Sequence, residues 1–231
     1  MIIAIDGPAG AGKSSIAKLL AARLGHQFLD TGAMYRSITL ACLDASVDLA
    51  NSDAKLEIAK QCELSQVGDV YFLNGVDVSQ KIRDQRITKS VVHVANEPRI
   101  RDMLVEHQRS LAARHDLVTE GRDQATVAFP NAEYKIFLTA SPQTRAIRRA
   151  NELAQRGQQV DLEILLAEQN QRDDEDTNRP VGGLVRSDEA YYVSTDDLTI
   201  EQVVEKLVRL VQSEARLSDA TNTFFLPDRG E

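Results

Sequence analysis

Gly7-Pro8-Ala9-Gly10-Ala11-Gly12-Lys13-Ser14 satisfies the pattern GxxxxGK[ST] at every fixed position, and what flanks it decides the fold. Ahead of it, residues 2–5 read Ile-Ile-Ala-Ile, an apolar run without alternation, as expected of a strand covered on both faces of a parallel sheet. Behind it, Ile16, Leu19, Leu20 and Leu24 recur at helical spacing, and Gly25 is placed to end that helix in a left-handed conformation. Strand, glycine turn and helix in this order make a cradle in which backbone N–H groups converge on phosphate oxygens at the positive end of a helix. Gly7, Gly10 and Gly12 supply the backbone freedom, with Pro8, Ala9, Ala11 and Ser15 completing the nucleotide loop. In such a loop Lys13 reaches the β- and γ-phosphates of ATP, and the Ser14 hydroxyl joins the coordination of Mg²⁺.

Outward from the loop, similar short apolar runs occur at residues 27–29, 117–119, 134–138 and 190–193, separated by stretches long enough for crossovers. Five parallel strands flanked by helices follow. Such a sheet binds its ligands outside the carboxyl ends of the strands, where Gly7, Asp30, Glu120 and Thr139 fall. Residues 70–78 break the pattern: Val-Tyr-Phe-Leu, then Asn74-Gly75, then Val-Asp-Val is a strong two-residue hairpin signal. The expected organisation is a core of residues 1–34, 110–148 and 187–213, an insertion over 35–109 holding this small antiparallel element and a helix with Ile100, Met103, Leu104 and Leu111, a charged helical lid over 149–186, and a mobile tail over 214–231. Phe224-Phe225-Leu226 is a docking spot within that tail.

Composition excludes several classes. With 231 residues, 42% hydrophobic and 27% charged, the chain reads as globular. Its formal net charge of −8 argues against wholesale nucleic-acid binding and for a small anionic partner met by local arginines. The opening residues carry no basic leader and no spanning segment, which places the protein in the cytoplasm, away from membranes. Cys42 and Cys62 read as partly buried free thiols, and the four histidines lack any zinc spacing.

The phosphate loop serves kinases, GTPases and mechanical ATPases alike, so other residues must choose. No Asn-Lys-x-Asp guanine-reading stretch occurs. Instead Asp30-Thr31-Gly32-Ala33-Met34-Tyr35-Arg36 follows the second strand, Glu120-Gly121-Arg122-Asp123 the third, and Arg172, Asp173, Asp176 and Arg179 close the charged region. With Lys-Ile-Phe-Leu-Thr-Ala-Ser at 135–141, these motifs stand in the order and spacing of the bacterial cytidylate kinases, P-loop nucleoside-monophosphate kinases, which the chain resembles from Ile2 to about Val211. Arginine suits the chemistry independently, because its fork of donors matches the several oxygens of a transferring phosphoryl group.

The resemblance implies that Arg36 and Arg122 hold the CMP phosphate with Thr31 beside it, and that Arg172 and Asp176 approach the ribose and the transferring phosphate. It implies cytidine recognition by Arg101, Asp123 and Arg179, and a lid on which the guanidinium groups of Arg145, Arg148 and Arg149 close over ATP, the alternative for these three being a basic helix face. Asp30 and Glu120 either orient water ligands of Mg²⁺ or serve as structural hydrogen-bond partners. Lys13, Arg122, Arg172 and Asp176 form the catalytic set, and no general base is needed because the acceptor phosphate is already ionised. The expected reaction is γ-phosphoryl transfer from ATP to CMP and dCMP by a monomer. The rivals are a kinase preferring UMP or another small acceptor, and a nucleotide-sensing module without catalysis.

Two departures from the family stand out. Val92 occupies the place of a serine that meets cytosine, and Gln124-Ala125 follow Gly121-Arg122-Asp123 where a bulky apolar residue and glycine are usual. Gln124 either restores a polar contact or accompanies looser base selectivity.

Overall fold

The structure, a computed structural model, describes residues 1–222 except 156 and 159, with side chains as far as 213. Five strands, β1 Ile2–Asp6, β2 Gln27–Asp30, β6 Leu117–Gly121, β7 Tyr134–Thr139 and β8 Tyr191–Ser194, form one sheet in the order β2-β6-β1-β7-β8. Every pairing is parallel. The P-loop α/β architecture read from the sequence is the one observed. The register sets Asp6 opposite Gly121 and Asp30 opposite Glu120, so one row of carboxyl ends carries the residues that matter.

Side chains alternate across this sheet, as the pleat requires. Ile3, Ile5, Val118, Ile136, Leu138 and Val193 pack on one face against helices α1 Lys13–Leu24 and α8 Ile200–Asn222. Ala4, Leu29 and Leu117 point the other way, into the apolar cluster shared with α2 Thr31–Asp44 and α5 Pro98–Ala112. Gly25, at φ 72°, ends α1 as expected.

Between α2 and α5 lie α3 Ser52–Lys60, a three-stranded antiparallel sheet of β3 Leu64–Val67, β4 Val70–Leu73 and β5 Val76–Asp77, a 3₁₀ turn at Lys81–Arg83, and α4 Gln85–Ala95. Asn74 and Gly75 both take positive φ, 52° and 76°, which is the backbone of a two-residue hairpin turn. The first of the three strands escaped the sequence reading. The small sheet is tied to the end of β2: the Tyr71 hydroxyl donates to Asp30 Oδ2 at 3.1 Å and the Gln66 amide donates to the Phe28 carbonyl at 3.1 Å.

After β7 come α6 Pro142–Gln155 and α7 Leu162–Thr177, packed on each other. α6 thus starts before residue 149, where the lid was expected to begin. α8 likewise runs to Asn222, past the expected start of the tail at 214, because Glu214-Ala215-Arg216-Leu217 are strong helix formers even where the apolar stripe has ended. Phe224-Phe225-Leu226 lie outside the described residues. Among the described residues, no helix is long and apolar enough to cross a membrane.

Candidate active site

The phosphate loop turns tightly over the end of the sheet. A Cβ on Gly7 would collide with the Leu138 backbone carbonyl, and Gly12 caps α1 at φ 88°, so neither position admits a side chain without strain. Lys13 is buried, and its Nζ donates to the Pro8 carbonyl at 2.8 Å, folded back across the loop. Burial, then the nearby Arg122 charge, pulls its pKa down to about 7. The Ser14 hydroxyl donates to Glu120 Oε1 at 2.7 Å. Burial, then the charge of Asp30, pushes the Glu120 carboxyl upward.

Beneath the loop, Asp6 accepts from the backbone N–H groups of Gln124 at 2.9 Å and Ala125 at 2.8 Å. It thereby anchors the π-helical turn Gln124–Ala128, and burial lifts its pKa to about 6 despite those donors. Asp30 caps α2, accepting from Ala33 N at 2.9 Å while its other oxygen holds Tyr71. Structural hydrogen bonding is therefore one role Asp30 does fill.

Above the loop, α6 is stitched down by two arginines. Arg145 donates to the carbonyls of Ala140 and Ala9, both at 3.0 Å, and pairs with Asp173 at 2.6 Å. Arg148 donates to the Thr195 hydroxyl at 2.9 Å and carbonyl at 2.6 Å. Both serve the scaffold here. Arg149 stays part-exposed in a 3.0 Å pair with Glu152, yet its charge is among those acting on Arg36.

A second charged group is an arginine cluster near one carboxylate. Arg122 Nε donates to Asp176 Oδ2 at 2.7 Å and Arg179 Nη2 to Asp176 Oδ1 at 2.6 Å. Although burial works against it, the charges of Arg122, Arg179 and Arg172 hold the Asp176 carboxyl below its usual range. Half-buried Arg172 is pushed down to about 10, by burial and then by Arg122. Arg36 bonds the Thr88 hydroxyl at 2.8 Å, and burial lowers its pKa. Arg36, Arg122, Arg172 and Arg179 thus outnumber Asp176, leaving positive charge that a dianionic phosphate would meet.

Beside the cluster, Arg101 is 2% exposed. Its guanidinium bonds the Ala95 carbonyl at 3.1 Å and pairs with Asp123, its carbon lies 5.6 Å from the Tyr35 ring centre, and its Nε has no partner. Thr31 is buried at the start of α2, donating to the Glu120 carbonyl at 2.7 Å. Val92 is half-buried on α4, one turn before Ala95. Gln124 accepts from the Thr119 hydroxyl at 2.8 Å, so its carbonyl oxygen is committed to the core.

A family model for cytidylate kinase matches residues 3–213. The chain belongs to the cytidylate kinase family. It is 45% identical over 222 residues to a cytidylate kinase of Rhodopirellula baltica, covering 96% of this chain and 97% of the relative. It is also 44% identical over 223 residues to one of Mycobacterium avium, covering 94% and 98%. An uncharacterized protein of Eubacterium ventriosum shares the fold at a TM-score of 0.50 and 13% identity, over 92% of this chain and 99% of that one.

In this member of the cytidylate kinase family the structure brings Lys13, Ser14, Thr31, Arg36, Arg101, Arg122, Asp123, Arg172, Asp176 and Arg179 to the same end of the sheet. Sequence reasoning passed over Tyr35, Asp6 and the scaffold roles of Arg145 and Arg148. Tyr35 had a signal, standing next to Arg36 inside a quoted motif; burial places its phenol up at about 12, against the opposing charge of Arg101. Asp6 also had one, as the residue entering the phosphate loop. The donor set also fits Mg²⁺: the Ser14 hydroxyl and the Glu120 carboxylate are hydrogen-bonded oxygen groups, and Glu120 and Asp30 are like charges whose mutual repulsion a divalent cation would relieve.

Proposed function

We infer that this chain is a CMP kinase, transferring the γ-phosphoryl group of ATP to the phosphate of CMP and dCMP to give ADP and the diphosphates. The observation that carries the reading is the convergence, at one sheet end, of a phosphate loop with Arg122 and Arg179 paired to Asp176, next to the buried Arg101–Asp123 pair. One side suits a triphosphate and the other a nucleoside monophosphate.

In this reading the loop N–H groups and Lys13 hold the donor phosphates, with Arg149 closing over them. Lys13 leaves the Pro8 carbonyl for a phosphate oxygen and recovers its full charge there. Arg36, Arg122 and Thr31 hold the acceptor phosphate in line, Asp176 and Arg172 meet the ribose and the moving group, and Arg101, Asp123 and Arg179 meet the base. Ser14 would hold Mg²⁺, with Glu120 and Asp30 acting through water, and the ion would neutralise charge between the β- and γ-phosphates. Catalysis is positioning and charge stabilisation, so the lack of a histidine at the site is no obstacle. Cys42 and Cys62, both free, agree with the reducing cytoplasm, and a monomer is the proposed state.

A coupled ADP-release assay across nucleoside monophosphates tests the reading. CMP and dCMP should be the best acceptors. Preference for UMP or another acceptor, or release of ADP with none, would overturn it.

A further inference from the structure

The segment that follows α7 makes an unusual approach to the base-reading pair. Leu184 N donates to the Asp176 carbonyl at 2.8 Å, closing a loop that brings residue 182 back over the acceptor site. Gly182 takes φ +64°, and a Cβ built on it would fall far inside 3.0 Å of the Arg101 guanidinium and of the Asp123 carboxylate. The bare backbone of Gly182 therefore lies directly on the Arg101–Asp123 pair. Most other left-handed glycines that end turns here have open space where a Cβ would go: Gly25, Gly68, Gly75 and Gly157 meet nothing within 4 Å. At those positions glycine satisfies the backbone; at Gly182 it also satisfies a close contact.

We propose that Gly182 is a specificity-determining position for the acceptor base, acting as a positioning residue through Arg101. Its backbone pins the guanidinium where it pairs with Asp123 and passes beside Tyr35, leaving Nε, buried and without a partner, as the donor still on offer. A side chain at 182 would push the guanidinium, the mobile member of the contact, out of that arrangement. Asp123 would then lose its partner and the base its fixed reader, while the phosphate loop would be untouched. The proposal rests on the CMP kinase reading above.

The test is a comparison of kcat and KM for CMP, UMP and ATP in wild type, Gly182→Ala, Gly182→Asn and Gly25→Ala. Asparagine tolerates the left-handed backbone better than alanine, so Gly182→Asn keeps the collision with less strain should Gly182→Ala fold poorly. Gly25→Ala carries the strain without the collision. Both Gly182 variants should raise the KM for CMP about tenfold, the scale of one lost charge-assisted contact, and bring the CMP-to-UMP ratio of kcat/KM down toward one. The KM for ATP should stay at the wild-type value in both, and Gly25→Ala should keep the wild-type ratio. An unchanged CMP-to-UMP ratio in either folded Gly182 variant overturns the role of Gly182 alone. Absence of CMP turnover in the wild type overturns the function itself and the proposal with it.

Discussion

Asp176→Asn isolates what the single carboxylate does among its arginines. Asp176 is 5% exposed and accepts from Arg122 with one oxygen and from Arg179 with the other. Asparagine keeps the shape but offers one acceptor, and its amide N–H₂ faces a guanidinium donor. Removing one member of a buried pair costs about 3 to 5 kcal/mol. Arg122 keeps 18% side-chain exposure, so water softens the loss and the lower end, about 3 kcal/mol, applies. For a chain of this size that is a fall in Tm of ~6 to 12 °C. The pH dependence has a definite sign. The folded pKa of Asp176 is depressed, so its stabilisation is present above the ordinary carboxylate pKa of 3.8 and lost as pH falls below it through the folded value. The variant should therefore differ most from wild type at neutral pH and converge with it in acid. Inorganic phosphate should stabilise the variant more than wild type, because an anion can replace the missing charge. Thermal unfolding of both proteins over pH 3 to 7, with and without phosphate, measures all of this. A neutral-pH Tm within about 2 °C of wild type, or no extra response to phosphate, would refute the assignment of Asp176 as the counter-charge of the cluster.

Three further outcomes are expected. Lys13→Ala should lower kcat by ~10²- to 10³-fold, the usual effect of removing one preorganised charge, while the fold survives because Nζ bonds only Pro8 O; near wild-type turnover would remove Lys13 from the site. Asp6, raised to about 6, contributes stability that is full below pH 3.8 and fades as pH rises through 6, a slope of ~3 kcal/mol that Asp6→Asn should abolish in urea titrations across that window; an unchanged slope places the titration elsewhere. Val92→Ser adds a hydroxyl one turn from the Arg101 anchor on Ala95, and a net hydrogen bond of ~1 kcal/mol should lower the KM for CMP about fivefold and widen the modest preference over UMP; strong rejection of UMP by wild type, with the ratio unmoved by the substitution, would show that another residue reads the base.

The elements legible in the sequence are those whose signals are local. The strand, loop and helix around Lys13 and the turn at Asn74-Gly75 are set by neighbours within a few residues, and both stand where they were expected. The strand β3 was missed because its four residues alternate between half-buried and exposed, with none fully buried, and resemble a polar connector. The turn at Gln124–Ala128 has no period at all; it exists because Asp6, 118 residues away, accepts its first two N–H groups. The same distance problem divides the arginines. Nothing within residues 145–149 says that Arg145 spends its donors on Ala9, 136 residues earlier, or that Arg148 spends its own on Thr195, while Arg149 stays part-exposed beside Glu152 on its own helix. Residue type announced a phosphate site, but only long-range packing sorted scaffold from ligand.

That sorting also explains how so much charge is held without ligand. Several of the groups assigned to substrates have an internal partner: the Pro8 carbonyl at Lys13, Glu120 at Ser14, Asp176 at Arg122 and Arg179, and Asp123 at Arg101. Unpaired buried ions are costly, so these partners offset the burial of the charges at the site. Binding then becomes an exchange of partners, in which the gain from each new contact is offset by the one released. An exchange of this kind makes modest demands on affinity and strong demands on fit, since a ligand that displaces an internal partner without matching it leaves a buried charge unsatisfied. Rejection of the wrong acceptor thus follows from the cost of breaking the internal pairs, and it should be weakest where a family hydroxyl has been replaced by Val92.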